Sequence, residues 1–352
     1  MALHMTPQRG PRGRHRSGGR NDGVPTAATA QLRNAGRPAE QPVLSALPTV
    51  LAASDFRQTA AGSVTTLAAG VPTTSWLVSR VVEDTFTVLE TSAAQAQAWI
   101  GQPVPFSDSI CYDTLRDRSD AVSIDLTTTS SPTLLAKAGT WHAKHYLGAP
   151  LRDARGGLLG TVCGYDQQAA ASTMDGWLRA LDAQAASLSR ALVADLQRAA
   201  TDRATDLDVA RRSTDSTTGL PDRNGWGLLL AREEERAARL AEQVGVVLVD
   251  LGSVFSTRGA RRAAHAVLEA AGDRAQVART GPRQLGLLVG GRGATAVAAV
   301  AGDAGAVLRA AGVRATTGWA MRSRTDGMIQ AWWEAEDALL TSRAALAVPG
   351  AR

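Results

Sequence analysis

Residues 175 to about 212 contain no proline and a single glycine, Gly176, while Leu181, Ala185, Leu188, Leu192 and Ala199 recur along them at near-heptad spacing. This predicts one long connecting helix, which leaves the segments before and after it to find cores of their own. The apolar stripe has two readings. It is a seam between two copies of the chain, which implies a homodimer, or its first half packs on the preceding segment and the remainder is a solvated linker. Asp195 falls on the seam and weakens a tight coiled coil.

A chain of 352 residues accommodates two ordinary domains and tails. Hydrophobic residues make up 44% and charged residues 20%, the balance of a soluble globular protein. Arg, Asp or Gly interrupts every long apolar stretch, so no membrane helix is expected. The amino terminus lacks the apolar core of a signal peptide, and the expected compartment is the cytoplasm.

The net charge of +5 is local in origin. Arg9, Arg12, Arg14, Arg16 and Arg20 lie in an opening stretch without Asp or Glu; the rest of the 38 basic residues balance the 33 acidic ones. Residues 1–42, rich in Gly, Arg, Pro and Ala, read as a disordered basic tail. A nucleic-acid or lipid-binding arm is the other reading of this tail, but it has no aromatic side chains for stacking, so neither a nucleic-acid nor a membrane partner is expected. Cys111 and Cys163 are too few for a disulfide framework or a four-cysteine zinc site, and free thiols are expected.

From Val43 to residue 70 the apolar spacing is helical. Thr74–Val82 and Thr85–Leu89 then read as a hairpin turning at Glu83 and Asp84. Further strands are expected at Ala121–Leu126, Tyr146–Leu151 and Gly160–Tyr165, the last two joined by the turn Arg152–Gly157. Beyond residue 215 a helix rich in Arg and Glu runs to about Gln243, followed by the continuous apolar strand Val244–Leu251 and a hairpin within Val277–Val289. The fold class is α/β (α+β), two sheet-with-helices domains joined by a long helix.

Three stretches carry a resemblance in the first part: Phe106 to Cys111 (FSDSIC), Tyr146 to Leu151 (YLGAPL) and Leu159 to Asp166 (LGTVCGYD). In this order they resemble the GAF domain, a small ligand-sensing module of bacterial signalling proteins, over residues 43–194. The resemblance implies a largely apolar pocket between one sheet face and the elements covering it, for which Trp76, Cys111, Trp141, His145, Tyr146 and Cys163 are the candidates, with His142 beside them. It implies an unknown small-molecule ligand. His142 and His145 lack further partners for metal ligation and read as surface or pocket-rim residues. The two cysteines read as a redox pair, a bilin attachment point or inert core residues. Tyr112 follows Cys111 where bilin-attaching relatives place His, which disfavours a chromophore. No cofactor is expected.

In the second part, Asp215 to Arg223 (DSTTGLPDR) resembles the D-x-L-T-G-L-x-N-R signature that opens GGDEF domains, the cyclic di-GMP synthase fold. Thr317 to Ala320 resembles a later family strand, and Ala335 to Leu340 the closing helix, with Arg343 near its usual basic residue. The resemblance covers residues 215–348 and leaves 195–214 as a helical linker. It implies a nucleotide site at Asp250, Arg279 and Arg283.

Active relatives need carboxylates to hold magnesium against phosphate and glycines that admit the nucleotide. Here the signature hairpin reads Gly281, Pro282, Arg283, Gln284 and Leu285. Pro282 replaces the second glycine, Arg283 the metal-binding acid and Gln284 its acidic neighbour, leaving Asp250 of the metal pair. The stretch from Asp250 to Gly281 is about ten residues shorter than the family's. The positions of the family's product-binding Arg and Asp fall on Gly272 and Ala275. The expectation is a cytoplasmic regulatory protein. A ligand-sensing module is coupled to a catalytically inactive domain used for protein interaction or nucleotide binding, and GTP and signalling proteins are the partners. An active diguanylate cyclase is the alternative.

Overall fold

The computed structural model describes residues 55–70, 74–166, 174–252 and 256–347. The basic tail, and the part of the first helix before Asp55, lie outside these ranges.

Two antiparallel sheets organise the described chain. The first runs in the order β3-β2-β1-β6-β5-β4, from β1 (Thr74–Val82), β2 (Thr85–Thr91), β3 (Pro103–Pro105), β4 (Val122–Asp125), β5 (His145–Arg152) and β6 (Leu158–Asp166). The expected hairpin pairs Val82 with Thr85 and turns at Glu83, which adopts a left-handed φ of 51°. Because side chains alternate along a strand, each strand serves two cores. Trp76, Val78, Leu147, Ala149, Leu151 and Val162 face α1 (Asp55–Gly70) and the first half of the long helix. Leu77, Val81, Phe86, Val88, Tyr146 and Cys163 face the opposite way, toward Phe106, α2 (Ile110–Leu115) and α3 (Pro132–Trp141).

The long helix is α4, Met174–Ala210, 37 residues. Its stripe is occupied within the chain: Leu181, Ala185, Leu188 and Leu192 pack with Phe56, Val64 and Leu67 of α1 against the sheet, and Ala199 is fully buried. The second of the two readings of the stripe therefore describes its first half. Asp195, out of place in a coiled-coil seam, has a local task. Buried at 2% exposure, its carboxylate accepts the Phe56 N–H at 3.3 Å, one of the orphan donors at the start of α1, and pairs with Arg198.

Beyond residue 199, α4 packs on α5 (Arg223–Leu240) instead of entering solvent. Arg203 forms ion pairs with Glu233, at 2.6 Å, and with Glu242; Arg236 bonds Glu233 at 2.9 Å and Asp206 at 2.5 Å. Burial works against the Arg203 charge, but the two carboxylates hold its pKa above the usual arginine value.

The second sheet has the order β10-β7-β9-β8, from β7 (Val244–Asp250), β8 (Gln276–Gly281), β9 (Gln284–Gly290) and β10 (Thr316–Met321). Strand β7 is buried along its whole length, which explains its unbroken apolar sequence. One face packs against α6 (Thr257–Ala271) and α7 (Ala294–Ala310), the other against α5 and α8 (Gly327–Ala347). Helix α6 occupies the stretch between Asp250 and Gly281.

Glu233 is fully buried between two guanidinium groups. Its replacement by alanine leaves both cations short of a partner, and Glu233→Ala is expected to cost about 3–5 kcal/mol, read as a lower urea midpoint with the far-ultraviolet spectrum of the native protein preserved in its absence.

Candidate functional site

The covered face of the first sheet holds a cavity of about 490 Å³. Its walls are mainly apolar: Leu77, Phe86 and Val88 from β1 and β2, Ala96 and Trp99 from the 3₁₀ segment Ala94–Trp99, and Val104 from β3. Polar residues sit at intervals around it: Ser75, Gln102, Asp108, Ser109, Thr140 and His142, with Tyr165. That composition suits a small organic molecule held by apolar contact and oriented by a few hydrogen bonds.

The expected pocket residues separate into three groups. His142 lines the cavity from the carboxyl-terminal cap of α3, where its φ of 51° ends the helix. Trp76 lies in the core on the opposite face of the sheet, because it alternates with Leu77, which faces the cavity. Cys111, Tyr146 and Cys163 are fully buried in the core on the cavity's side of the sheet and do not line the cavity, whereas Tyr165, packed against that core, does. His145 hydrogen-bonds the Ser123 hydroxyl at 2.9 Å across the β4–β5 pair. Burial draws its pKa down, which favours the neutral ring. Trp141 ends α3, and its side chain is outside the description. Asp108, Ser109 and Tyr165 were legible as members of the motif stretches. Trp99 and Gln102, contributed by a short irregular segment, had no sequence signal.

The second candidate is the tip of the β8–β9 hairpin. Gly281 pairs with Gln284, so Pro282 and Arg283 form a two-residue turn. Neither has a positive φ. Proline at the first turn position fixes φ near the value such a turn needs. Arg279 is consumed in holding this turn. Its guanidinium donates to the Gly281 carbonyl at 3.1 Å and to the Pro282 carbonyl, and pairs with Asp215 at 3.1 Å. Burial alone would raise the Asp215 pKa, but the Thr218 hydroxyl and N–H, with Arg279, keep it below the usual carboxylate range. The signature segment from Asp215 is thereby tied to the hairpin.

Asp250 ends β7 opposite Gln284 in register. One oxygen accepts the Gly252 N–H at 2.8 Å, and the other pairs with Arg343 of α8 at 2.9 Å. The Arg283 guanidinium donates to the Gly252 carbonyl at 3.3 Å. Gln284 accepts from the Thr280 hydroxyl at 2.8 Å, and burial raises the pKa of nearby Glu336 despite the opposing charge of Arg223. Two guanidinium groups and one engaged carboxylate do not suit a divalent cation. Among the described residues no group of three or more His, Cys, Asp and Glu is placed to hold a metal ion.

No protein-family model matches the chain. No curated protein matches it. Among solved structures it is similar to the GGDEF domain of DgcB from Caulobacter crescentus, in complex with c-di-GMP, at 16% identity over 38% of this chain and 91% of that one, with a TM-score of 0.34. It is also similar to the phycoerythrobilin-bound GAF domain of a cyanobacterial phytochrome, at 13% identity over 39% of this chain and 84% of that one, TM-score 0.34. A third is the diguanylate cyclase SiaD from Pseudomonas aeruginosa, in complex with its activator SiaC: 21% identity, 49% of this chain, 78% of that one, TM-score 0.36. The chain is similar to GAF domains and to GGDEF domains.

In the GGDEF-like part the carboxylate of Asp250 depends on the turn at Gly252, whose φ is +56°. A Cβ there would stand 2.2 Å from the Arg314 carbonyl oxygen. Gly252→Ala is expected to destabilise the protein by about 1–3 kcal/mol, measured by denaturant titration, since both the backbone and its neighbour must shift.

Proposed function

We propose that this chain is a cytoplasmic sensory protein of the cyclic di-GMP signalling class, in which a GAF-like domain of residues 43–194 binds a small molecule and the GGDEF-like domain of residues 215–348 acts without catalysis. The observation that carries the second half is the Asp250–Arg343 ion pair at 2.9 Å. The remaining acid of the metal site is neutralised by a permanent cation, and Arg283 adds another where an acid would be needed. Phosphoryl transfer relies on positioning and on charge stabilisation by metal, and this hairpin supplies neither. Docking of a protein partner, or retention of GTP with Arg283 against phosphate, remains compatible with these side chains. A homodimer belongs to the same proposal, by analogy with signalling proteins of this architecture.

The cavity supports the sensing half, and its surroundings suggest a route for the signal. The segment carrying Trp99 and Gln102 walls the cavity, and the carbonyl of Ile100 within it accepts from the Arg324 guanidinium of the β10–α8 loop. The Glu83 carboxylate at the β1–β2 turn accepts the Gly293 N–H at 3.2 Å, at the start of α7. A ligand that moves the cavity wall would therefore act on the second sheet's loops directly, besides any change in α4. Among the described residues no helix is long and apolar enough to cross a membrane.

Purified protein incubated with GTP and magnesium is expected to yield no cyclic dinucleotide above the rate of a boiled control. Product formed in proportion to protein would establish an active cyclase and overturn the inactive reading. Calorimetry with GTP in EDTA tests nucleotide retention: heat of binding without metal supports it, and the absence of heat rules it out.

A further inference from the structure

The two cysteines, 52 positions apart in sequence, meet beneath the cavity with their Sγ atoms 3.4 Å apart. Both are fully buried. The surroundings of Cys111 differ from those of a packing cysteine. The Tyr146 hydroxyl donates to its Sγ at 3.3 Å and the Thr161 hydroxyl at 3.6 Å, while the Tyr165 hydroxyl lies 3.8 Å from Cys111 and 3.9 Å from Cys163. Three hydroxyls and a second thiol thus converge on one sulfur. Hydroxyl donors aimed at a sulfur stabilise the thiolate, the nucleophilic form. Tyr165 also lines the cavity, so one side chain touches both that space and the two sulfurs.

The placement is built by the motif strands. Cys111 opens onto the sheet from α2, whose first turn is capped by the Ser109 hydroxyl accepting the Tyr112 N–H at 3.1 Å. Tyr146 and Gly148 share one face of β5, two residues apart, and a Cβ at Gly148 would lie 2.2 Å from the Tyr146 hydroxyl oxygen. The glycine lets the ring lie along its own strand, which brings the hydroxyl to Cys111. Cys163 faces Gly148 in the β5–β6 register.

From this geometry we propose that Cys111 and Cys163 form a thiol-based hydroperoxide-sensing site, with Cys111 the attacking sulfur and Cys163 the resolving one. In the first step the Cys111 thiolate attacks the distal oxygen of a hydroperoxide. The O–O bond breaks, the alcohol or water leaves with a proton, and Cys111 becomes a sulfenic acid, oxidised by two electrons. In the second, the Cys163 sulfur attacks Cys111 Sγ, water departs, and an intrachain disulfide remains. The net change is two thiols and one hydroperoxide to one disulfide, one alcohol and one water; a cellular dithiol reverses it. Closing the sulfurs from 3.4 Å to a bond of about 2 Å pulls α2 and β6 together under the cavity floor, so oxidation and ligand binding act on the same wall. The site stands on the sulfur geometry and does not depend on the inactive reading of the GGDEF-like domain.

Burial by itself would raise the Cys111 pKa, yet the donors Cys163, Tyr146, Thr161 and Tyr165 together bring it down to about 7. The opposite holds for Cys163, which the Cys111 sulfur and burial push up, so the two thiols have distinct roles. The groups facing the pair are neutral: the two tyrosines from β5 and β6, both raised by burial, and Thr161 from β6.

The test uses the full chain, reduced and then treated with hydrogen peroxide. The expected product has lost both titratable thiols and two hydrogens in mass, yields a Cys111–Cys163 cross-linked peptide, and reverts with dithiothreitol. In Cys163→Ala, dimedone is expected to label Cys111; in Cys111→Ala, Cys163 is expected to stay reduced. The rate of thiol loss should rise with pH through about 7 as Cys111 ionises, and level off above. Tyr146→Phe removes one donor, and its rate at neutral pH should fall several-fold, by up to about tenfold for one unit of pKa. Intact mass and both thiols unchanged after peroxide, cross-links only between chains, or dimedone on Cys163 in the wild-type chain would each overturn the proposal. The wild-type peptide map requires no variant to fold.

Discussion

Helix α4 can only exist as it does because its apolar stripe is buried against other parts of the same chain. A helix of 37 residues with mixed composition has little stability of its own, and most of what holds it is packing. Its first half lies on the sheet of the GAF-like part with α1, and Asp195 ties the two helices at the end of α1 where backbone donors would otherwise be unpaired. Its second half is held by the ion pairs of Arg203 with Glu233 and of Asp206 with Arg236 of α5. The same helix therefore changes from an apolar seam to a charged one along its length, and the two sheets inherit their connection from it.

At the β8–β9 hairpin the controlling fact is charge. Guanidinium groups occupy the surroundings of Asp250, and each is engaged with protein. Arg343 pairs with Asp250, Arg283 reaches the Gly252 carbonyl, and Arg279 braces the turn against Asp215. The turn residues are consistent with one another. Pro282 shapes a turn without positive φ, and Arg279 satisfies the turn's carbonyls.

The GAF-like part shows the reverse economy. Its motif residues are placed by strand alternation so that one set makes the core with α4 while the neighbouring set floors a cavity and surrounds two sulfurs. Gly148 and Tyr146 make the point: the glycine has no side chain, so the tyrosine beside it can deliver its hydroxyl to Cys111.

Much of the secondary structure was legible before any coordinates, because periodicity reports burial. The strand at Thr74–Val82, the hairpin turn at Glu83, the apolar run from Val244 and the helix to Ala210 follow from alternating or helical spacing and from unbroken runs. What sequence could not supply was which face or partner each residue meets. Trp76 is separated from the cavity by one step of strand alternation, the spacing of the α4 stripe suits a second chain as well as its own sheet, and the place of Asp195 in that stripe is explained only by α1 beside it. The meeting of Cys111 with Cys163, and of Asp250 with Arg343, joins residues far apart in the chain. Local propensity carries no record of such contacts; only tertiary packing creates them.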